Sequence, residues 1–324
     1  MNRRPLGFIM YILLAALTGF AVSTPTAANA APLVTTDWMA KNLNAKGLVL
    51  IDVRTAVNYS VGHLPGALSL PYGQWEPKNE DRECNLMPSP AQMTELLKKM
   101  GVNNSSHVVI YDHGNTTSDT TKGTSAVWIM EAMGHKNVSY LNGGFTKWTF
   151  EGRVIVSAKT GEKPANPAPG DFVAKLDSSK VATLKDVTSS MKNKNAILLD
   201  VRNTDQHFGF KKRGDVERFG HIPGSLSWPA DFMTHAGINR APAYVLDKGD
   251  LKTMAKGVGL PWSWSKSENI IVYCNSSQFA GLGYFVLHDV LGYKNVKVYD
   301  ASMLEYAADD NLPMTTFAWG FVTK

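Results

Sequence analysis

The five residues LIDVR at positions 50–54 occur again as LLDVR at positions 198–202. A second stretch, GHLPGALSLP at 62–71, recurs as GHIPGSLSWP at 220–229. Each LIDVR-like stretch joins an apolar run to a charged end, a pattern typical of a buried strand that opens into a loop. Because both stretches recur in the same order, the chain contains one structural unit twice, and this duplication decides the fold.

Two further matches extend the repeat. VVIYD at 108–112 corresponds to IIVYC at 270–274, and GHKNV at 134–138 corresponds to GYKNV at 292–296. The offset between the copies grows from 148 residues at LIDVR to 158 at the GHLPG stretch, so the second copy carries ten additional residues between these two motifs. An insertion of this kind is expected in a loop rather than in a core element.

The segment between the two copies has a different composition. Residues 157–170 contain three prolines and two glycines. Prolines and glycines at this density disfavour helices and inner strands, so the segment is predicted to be an extended linker. We therefore expect a first domain at 32–156 and a second domain at 171–324.

The apolar pattern within each copy indicates the fold class. Residues 48–51 and 108–111, with their counterparts 196–199 and 270–273, are continuous apolar runs. Continuous runs are typical of parallel strands that are covered on both faces. Between two of these runs, residues 90–100 have a helical pattern that begins with proline after a serine able to cap the helix. The expected fold is α/β, with a parallel sheet flanked by helices on both faces in each tandem domain.

The first thirty residues have the pattern of an export signal. Arg3 and Arg4 precede an apolar stretch at 6–20, and Ala28-Asn29-Ala30 forms a small-x-small cleavage site. The apolar stretch is shorter than the ~20 residues that a membrane-spanning helix needs. We expect residues 1–30 to be a signal peptide and the mature protein to be periplasmic or otherwise exported, without stable membrane association. An uncleaved membrane anchor is the alternative.

Composition excludes several classes of protein. The chain has 324 residues, with 33 Lys and Arg against 28 Asp and Glu, and only two cysteines. Two thiols are too few for a disulfide framework or a zinc site built from cysteines. The modest net charge gives no indication of a nucleic-acid partner, which would need a concentrated basic surface.

The residue most suited to chemistry is Cys274, which follows directly after a predicted buried strand. A polar loop at 275–280 comes next, and an apolar helical stretch at 282–291 follows. In a strand-loop-helix unit, the backbone N–H groups of the loop point toward one position and favour an anion there. We therefore expect the pKa of the Cys274 thiol to be lowered and the thiolate to act as a nucleophile. The alternative is a buried, inert cysteine.

These motifs together resemble the rhodanese family, and specifically its tandem-domain sulfurtransferases. The resemblance rests on DVR after a strand, GH[LI]PG[AS], the Tyr-Cys strand end and GGFTKW at 143–148. It implies that Cys274 accepts sulfur as a persulfide and passes it on, without a metal or an organic cofactor. It also implies a non-catalytic first domain, because Asp112 occupies the position equivalent to the cysteine. The implied partners are a small sulfur-containing donor and a thiol, cyanide or protein-thiol acceptor.

The loop after Cys274 departs from the patterns of this family. The resemblance implies basic residues after the cysteine in thiosulfate-type members and a Gly-Ser-Gly-like run in mercaptopyruvate-type members. This loop is neutral and has neither feature, so the sequence does not identify the sulfur donor. Basic residues in the ten-residue insertion of the second domain are candidates for binding an anionic donor. The predicted substrate-binding residues are Asn275, Ser276, Ser277, Gln278, Phe279, Ala280, Arg213 and Arg218.

Alternatives to an enzyme and alternatives for the second thiol stay open. The neutral loop also suits a non-catalytic protein that binds or carries sulfane sulfur for a partner enzyme. A phosphatase is disfavoured, because the loop lacks the arginine needed to hold phosphate oxygens. Cys84 is interpreted as a free loop thiol, a relay thiol or a disulfide partner of Cys274.

Overall fold

The computed structural model describes residues 30–79, 84–157, 160, 166–235, 241–262 and 267–317, with the backbone alone at 78–79 and 84–85. The predicted signal peptide lies outside these residues except for its last position. Within the described part of the chain, no helix combines the length and the apolar character needed to cross a membrane.

Within its described residues, the first half of the chain forms a five-stranded sheet, a small hairpin and five α-helices. Its strands are β1 (Leu33–Val34), β2 (Leu48–Asp52), β3 (Leu68–Ser69), β4 (Lys78–Asn79), β5 (Cys84–Asn85), β6 (His107–Tyr111) and β7 (Val138–Leu141). Its helices are α1 (Thr36–Asn42), α2 (Ala56–Val61), α3 (Pro90–Lys99), α4 (Thr117–Ala132) and α5 (Gly144–Phe150).

The second half repeats this arrangement with the same kinds of element. Its strands are β8 (Val181–Ala182), β9 (Ile197–Asp200), β10 (Leu226–Ser227), β11 (Thr234–His235), β12 (Tyr244–Val245), β13 (Asn269–Tyr273) and β14 (Asn295–Tyr299). Its helices are α6 (Leu184–Asn193), α7 (Thr204–His207), α8 (Lys248–Gly257), α9 (Gln278–Tyr284) and α10 (Ser302–Tyr306), and α9 continues as a π-helical segment over Phe285–Leu291.

Both main sheets are parallel and share one topology. The strand order is β1-β7-β6-β2-β3 in the first and β8-β14-β13-β9-β10 in the second, and every pairing within them is parallel. Strand by strand, the two orders correspond, as the sequence repeat predicted. The α/β class and the parallel sheets are therefore confirmed.

Local sequence explains the predicted elements well. Val108, Val109 and Ile110 of β6 are fully buried, as expected for a strand covered on both faces. Helix α3 begins at Pro90 because the Ser89 side chain accepts from the N–H of the third helical residue in a complete capping box. The repeated Asp-Val-Arg motif closes each strand with a buried ion pair between its own aspartate and arginine.

The connection between the domains is extended where the structure describes it. Residues 166–177 contain no helix or strand and pack on the first domain. The Phe172 N–H donates to the Val102 carbonyl at 3.1 Å, and the Asp177 N–H donates to the Ala132 carbonyl at 2.7 Å. The first helical turn after this segment is a short 3₁₀ turn at Ser178–Lys180.

The two domains pack through α4 and α9, the helices that follow the equivalent strands β6 and β13. A Cβ atom at Gly281 would lie only 2.5 Å from the Cα of Ser125, so glycine allows the two backbones to approach this closely. Buried apolar residues of both domains form one continuous cluster around this contact. The packing places the loop before α9 directly against the first domain.

Candidate active site

Cys274 lies at the carboxyl end of β13, the central strand of its sheet. Its side chain is only 2% exposed, yet it lines a cavity of about 220 Å³. Loops at the carboxyl ends of parallel strands are the usual place for ligands in open α/β sheets. The thiol is free and reaches this cavity, which is the geometry that a nucleophile needs.

Ser302 fixes the cysteine loop, a name used here for residues 274–280. Its Oγ accepts hydrogen bonds from the N–H of Cys274 at 3.1 Å and of Ser277 at 3.4 Å, and its hydroxyl donates to the Tyr299 carbonyl at 2.7 Å. Both serines have positive φ angles, 65° at Ser277 and 51° at Ser302. A left-handed backbone at a residue other than glycine costs energy, so these hydrogen bonds help to fix the conformation of the loop.

Two opposing effects act on the Cys274 thiol. Burial raises its pKa above the usual value, while hydrogen bonds from the amides of Ser276, Ala280 and Phe279 favour the thiolate. Burial outweighs the amides, so the expectation of a lowered pKa was wrong. The amides nevertheless converge on the sulfur, as the strand-loop-helix pattern predicted, and they are positioned to stabilise a negative charge that forms there during a reaction.

Most of the predicted substrate-binding residues lie around one cavity. Arg213 donates through Nη1 to the Ser276 hydroxyl at 3.0 Å and through Nε to Asp215 at 2.6 Å. Its guanidinium group thereby lies beside the cysteine loop, although the residue belongs to the insertion. The predicted residues that line the cavity with Cys274 are Asn275, Ser276, Gln278, Phe279 and Arg213.

Three of the predicted residues act elsewhere. Arg218 donates to four backbone carbonyls of residues 306–312, so it fixes the C-terminal segment and does not line the cavity. Substrate binding by Arg218 stays a prediction, and these hydrogen bonds do not place it beside Cys274. Ser277 is fully buried, and its hydroxyl lies away from the cavity lining, while Ala280 contributes its amide rather than its side chain.

Three further residues of the cavity were not among the predicted site residues. Arg202 lines the cavity while its guanidinium group is paired with Asp200 at 2.6 Å, so the repeated Asp-Val-Arg motif also borders the site. Asn203 and Gln206 follow it in the chain, and Gln206 accepts from the Asn275 side chain at 2.8 Å. The repeat explains why Arg202 was not predicted, since a motif present in both copies indicates a role in the fold.

A buried carboxyl group from the first domain lies beneath the loop and was also missed. Glu76 is 5% exposed, and its Oε1 lies 2.7 Å from the Ser277 hydroxyl oxygen and 3.4 Å from that of Ser125. The Tyr72 hydroxyl donates to Ser125 at 3.1 Å. Burial raises the pKa of Glu76 to about 8, against the opposing effect of its hydrogen bonds.

The equivalent position in the first domain, Asp112, is buried at the end of β6. Neither of its carboxyl oxygens accepts a hydrogen bond of good geometry. Burial, with repulsion from Asp119, raises the pKa of Asp112 to about 7. A carboxyl group has no sulfur to exchange, so this position can support the fold but offers no nucleophilic thiol.

One cluster outside this site has the residue types of a metal centre. The donor atoms of Glu131, His288 and Asp289 lie within 4.8 Å of one another. The ammonium group of Lys180 is 3.3 Å from the Glu131 carboxylate, and the Tyr284 hydroxyl donates to the same oxygen at 2.6 Å. The lysine supplies the positive charge that a cation would bring, so the cluster is accounted for as an ion-pair network at the domain contact.

Together the fold and the site define a duplicated α/β protein with one cysteine loop, covered by the other domain. The family model "Rhodanese-like domain" matches residues 35–151 and 183–309. A thiosulfate sulfurtransferase of Corynebacterium glutamicum is 28% identical over 293 residues, which cover 88% of this chain and 90% of that protein. The sulfur carrier protein TtuD of Thermus thermophilus is 29% identical over 289 residues, covering 85% and 93%.

A solved structure has the same fold. SseA of Escherichia coli, described among 3-mercaptopyruvate sulfotransferases, superimposes with a TM-score of 0.70 at 24% identity, covering 84% of this chain and 99% of SseA. The chain therefore belongs to the rhodanese-like domain family, with the domain present twice. It is a sulfurtransferase enzyme of the rhodanese type.

Proposed function

We propose that Cys274 carries sulfur as a persulfide between a small anionic donor and a thiophilic acceptor. In the first step the Cys274 thiolate attacks the outer sulfur of the donor. A bond forms between Sγ and that sulfur, and the donor fragment leaves with the electron pair of the bond that breaks. In the second step the acceptor attacks the same sulfur, and Cys274 leaves as a thiolate. The observation that carries this proposal is the convergence of three loop amides on a cavity-lining thiol.

The cavity favours a small anionic donor. Its volume of about 220 Å³ is below the range of pockets for drug-sized ligands. Arg202 and Arg213 are the two cationic residues in its lining. Arg202 is already paired with Asp200, so we assign the attraction of the donor mainly to Arg213. Thiosulfate and 3-mercaptopyruvate, the substrates named for the relatives, both have the size and charge for this cavity.

A carrier function is the second candidate. The residues from Asn275 to Phe279 are neutral, so the loop itself offers no cation for a small acceptor. One of the relatives is named a sulfur carrier protein. In this alternative Cys274 is loaded in the same first step, but the sulfur passes only to a thiol of a partner protein.

Mass spectrometry of the Cys274 peptide tests the proposal. The protein is incubated separately with thiosulfate, 3-mercaptopyruvate and polysulfide, and cyanide or a small thiol is then added. We expect Cys274 to gain one sulfur atom and to lose it to the acceptor, whereas Cys84→Ser behaves like the wild type. Cys274→Ser is expected to give no loading and no turnover. Loading without release to any small acceptor would support the carrier, and turnover in Cys274→Ser would refute both.

We also propose that the protein is exported after removal of residues 1–30. Two arginines, an apolar stretch and the Ala28-Asn29-Ala30 site support this proposal. The intact mass of the protein recovered outside the cytoplasm should equal that of a chain beginning at Ala31. Recovery of the full-length chain in the cytoplasm would contradict export.

A further inference from the structure

The contact between Glu76 and the cysteine loop places the Ser277 hydroxyl between two oxygen atoms. The Ser277 hydroxyl oxygen lies 2.7 Å from Glu76 Oε1 and 2.6 Å from the carbonyl oxygen of Ser276. A hydroxyl has one proton to donate, while an ionised carboxylate and a carbonyl can only accept. Both short distances are satisfied when Glu76 is protonated, because its O–H then donates to Ser277 and Ser277 donates to Ser276.

Ionisation of Glu76 would break this chain of hydrogen bonds. The single proton of Ser277 would turn toward the carboxylate and leave the Ser276 carbonyl. Ser277 is the residue of the loop with a left-handed backbone, and the amide of Ser276 is one of those that face Cys274. The protonation of Glu76 in the first domain is therefore linked to the geometry of the backbone amides around the Cys274 thiol.

The charge of Glu76 acts on the thiol in the same direction. Cys274 and Glu76 are close enough that a charged Glu76 raises the pKa of the Cys274 thiol. The titratable groups that face Glu76 are Tyr72 beside it, Cys274 above it and Asp300 on the segment after β14. Burial raises the pKa of Asp300 to about 6. When Asp300 is ionised, its charge raises the pKa of Glu76 and so favours the protonated form of Glu76.

We propose that Glu76 is a positioning residue for sulfur transfer: its protonated carboxyl group orders the cysteine loop through Ser277, and its ionisation disfavours the anionic forms of Cys274. This inference rests on the proposed function of Cys274 and extends it to the first domain. The persulfide formed on Cys274 is an anion in the same place as the thiolate. Since linkage is reciprocal, loading Cys274 also holds the proton on Glu76 more tightly.

The duplication provides a matched control for this contact. Glu76 and Thr234 occupy equivalent positions after the repeated short turns Tyr72–Gln74 and Ala230–Phe232. Thr234 also reaches across the domain contact, where its hydroxyl lies 2.7 Å from that of Thr117 in the first domain. Thr234→Val therefore removes an equivalent buried contact without touching the cysteine loop.

The test is the pH dependence of Cys274 alkylation by iodoacetamide, followed on the Cys274 peptide. In Glu76→Gln the charge is absent at every pH, so we expect the midpoint to fall by about one pH unit and alkylation at pH 8 to be roughly tenfold faster. Ser277→Ala keeps the ionisable group, and its midpoint should lie at or slightly above that of the wild type, because protonated Glu76 then has no hydroxyl to donate to and ionises more readily. Thr234→Val should titrate like the wild type.

The outcomes separate positioning from structure and from the proposed function. A purely structural role would change the alkylation rate at all pH values and leave the midpoint in place. A wild-type midpoint in Glu76→Gln would overturn the inference, as would an equal downward shift in Ser277→Ala or in Thr234→Val. Alkylation needs no sulfur donor, so a failure of Cys274 to load would refute the proposed function while leaving this measurement to decide the role of Glu76.

Discussion

Replacing Ser302 with alanine should loosen the cysteine loop and destabilise the protein. The Ser302 side chain is fully buried and makes three hydrogen bonds: it accepts from Cys274 and Ser277 and donates to Tyr299. Alanine has no hydroxyl group, so all three hydrogen bonds are lost at once. The N–H groups of Cys274 and Ser277 would then be left beneath the loop without the oxygen that now accepts from them.

The magnitude follows from these contacts. A typical hydrogen bond contributes about 1 kcal/mol net, so losing three predicts a decrease of about 3 kcal/mol in the free energy of unfolding. Ser302 also has a φ of 51°, a backbone conformation that costs a residue with a Cβ about 1 kcal/mol. Ser302→Gly loses the same hydrogen bonds but removes this strain, and should be about 1 kcal/mol more stable than Ser302→Ala.

Urea unfolding followed by tryptophan fluorescence measures both variants against the wild type. Persulfide yield on Cys274, after a fixed exposure to donor, reports the loop in the same samples. We expect both variants to load less sulfur, because two of the amides that order the loop have lost their acceptor. A stability of Ser302→Ala within about 0.5 kcal/mol of the wild type, with normal loading, would refute the role given to Ser302, since this is the usual range for substitutions without consequence.

Three further substitutions test the electrostatics and the packing. Arg213→Gln should raise the concentration of anionic donor needed for half-maximal loading about fivefold, measured by mass spectrometry, whereas Lys211→Gln in the same insertion should not. Asp112→Asn should be about 4 kcal/mol more stable than the wild type at pH 8 and nearly equal to it near pH 4, in urea unfolding at each pH. The reason is that the pKa of Asp112 is raised to about 7 in the folded protein. The folded protein therefore loses stability as the pH rises from the pKa of the unfolded chain to that of the folded protein. Gly281→Ala should lower the free energy of unfolding by about 2 kcal/mol, because its Cβ would lie 2.5 Å from the backbone of α4. Gly257→Ala, at a helical glycine with open space around it, should be neutral or stabilising in the same assay.

The fold could be predicted because its signals are local. Buried parallel strands appear as continuous apolar runs, and the cap of α3 is encoded by Ser89 and the three residues after it. The repeat then supplied the architecture, since two copies of one strand-loop-helix pattern must form two similar sheets. Cys274 was also a local signal, because a thiol directly after a buried strand must lie at the edge of the sheet where loops gather.

The rest of the site depends on contacts that no local pattern contains. Ser302 is 28 residues from Cys274, and Glu76 is 201 residues from Ser277, so neither contact could be inferred before the domains were packed together. The direction of the Cys274 pKa was missed for a related reason. The loop amides can be anticipated from the sequence, but the burial that outweighs them depends on the tertiary packing around Cys274.

The duplication also explains how the domain with Asp112 at the cysteine position can take part in the chemistry that we propose for Cys274. After its third strand, each domain sends a short turn across the contact to the loop at the cysteine position of the other domain. In one direction this contact joins Thr234 to Thr117 through two neutral hydroxyls. In the other it joins Glu76 to Ser277 in the cysteine loop. The two copies therefore differ twice, once in the residue that ends the strand and once in the residue that reaches over from the partner domain. The carboxyl group of Glu76 faces the loop that contains Cys274, and the hydroxyl of Thr234 faces the segment after Asp112. The first domain contributes chemistry through its contact with the second, and an isolated second domain would keep Cys274 but lose the group that we propose holds its loop.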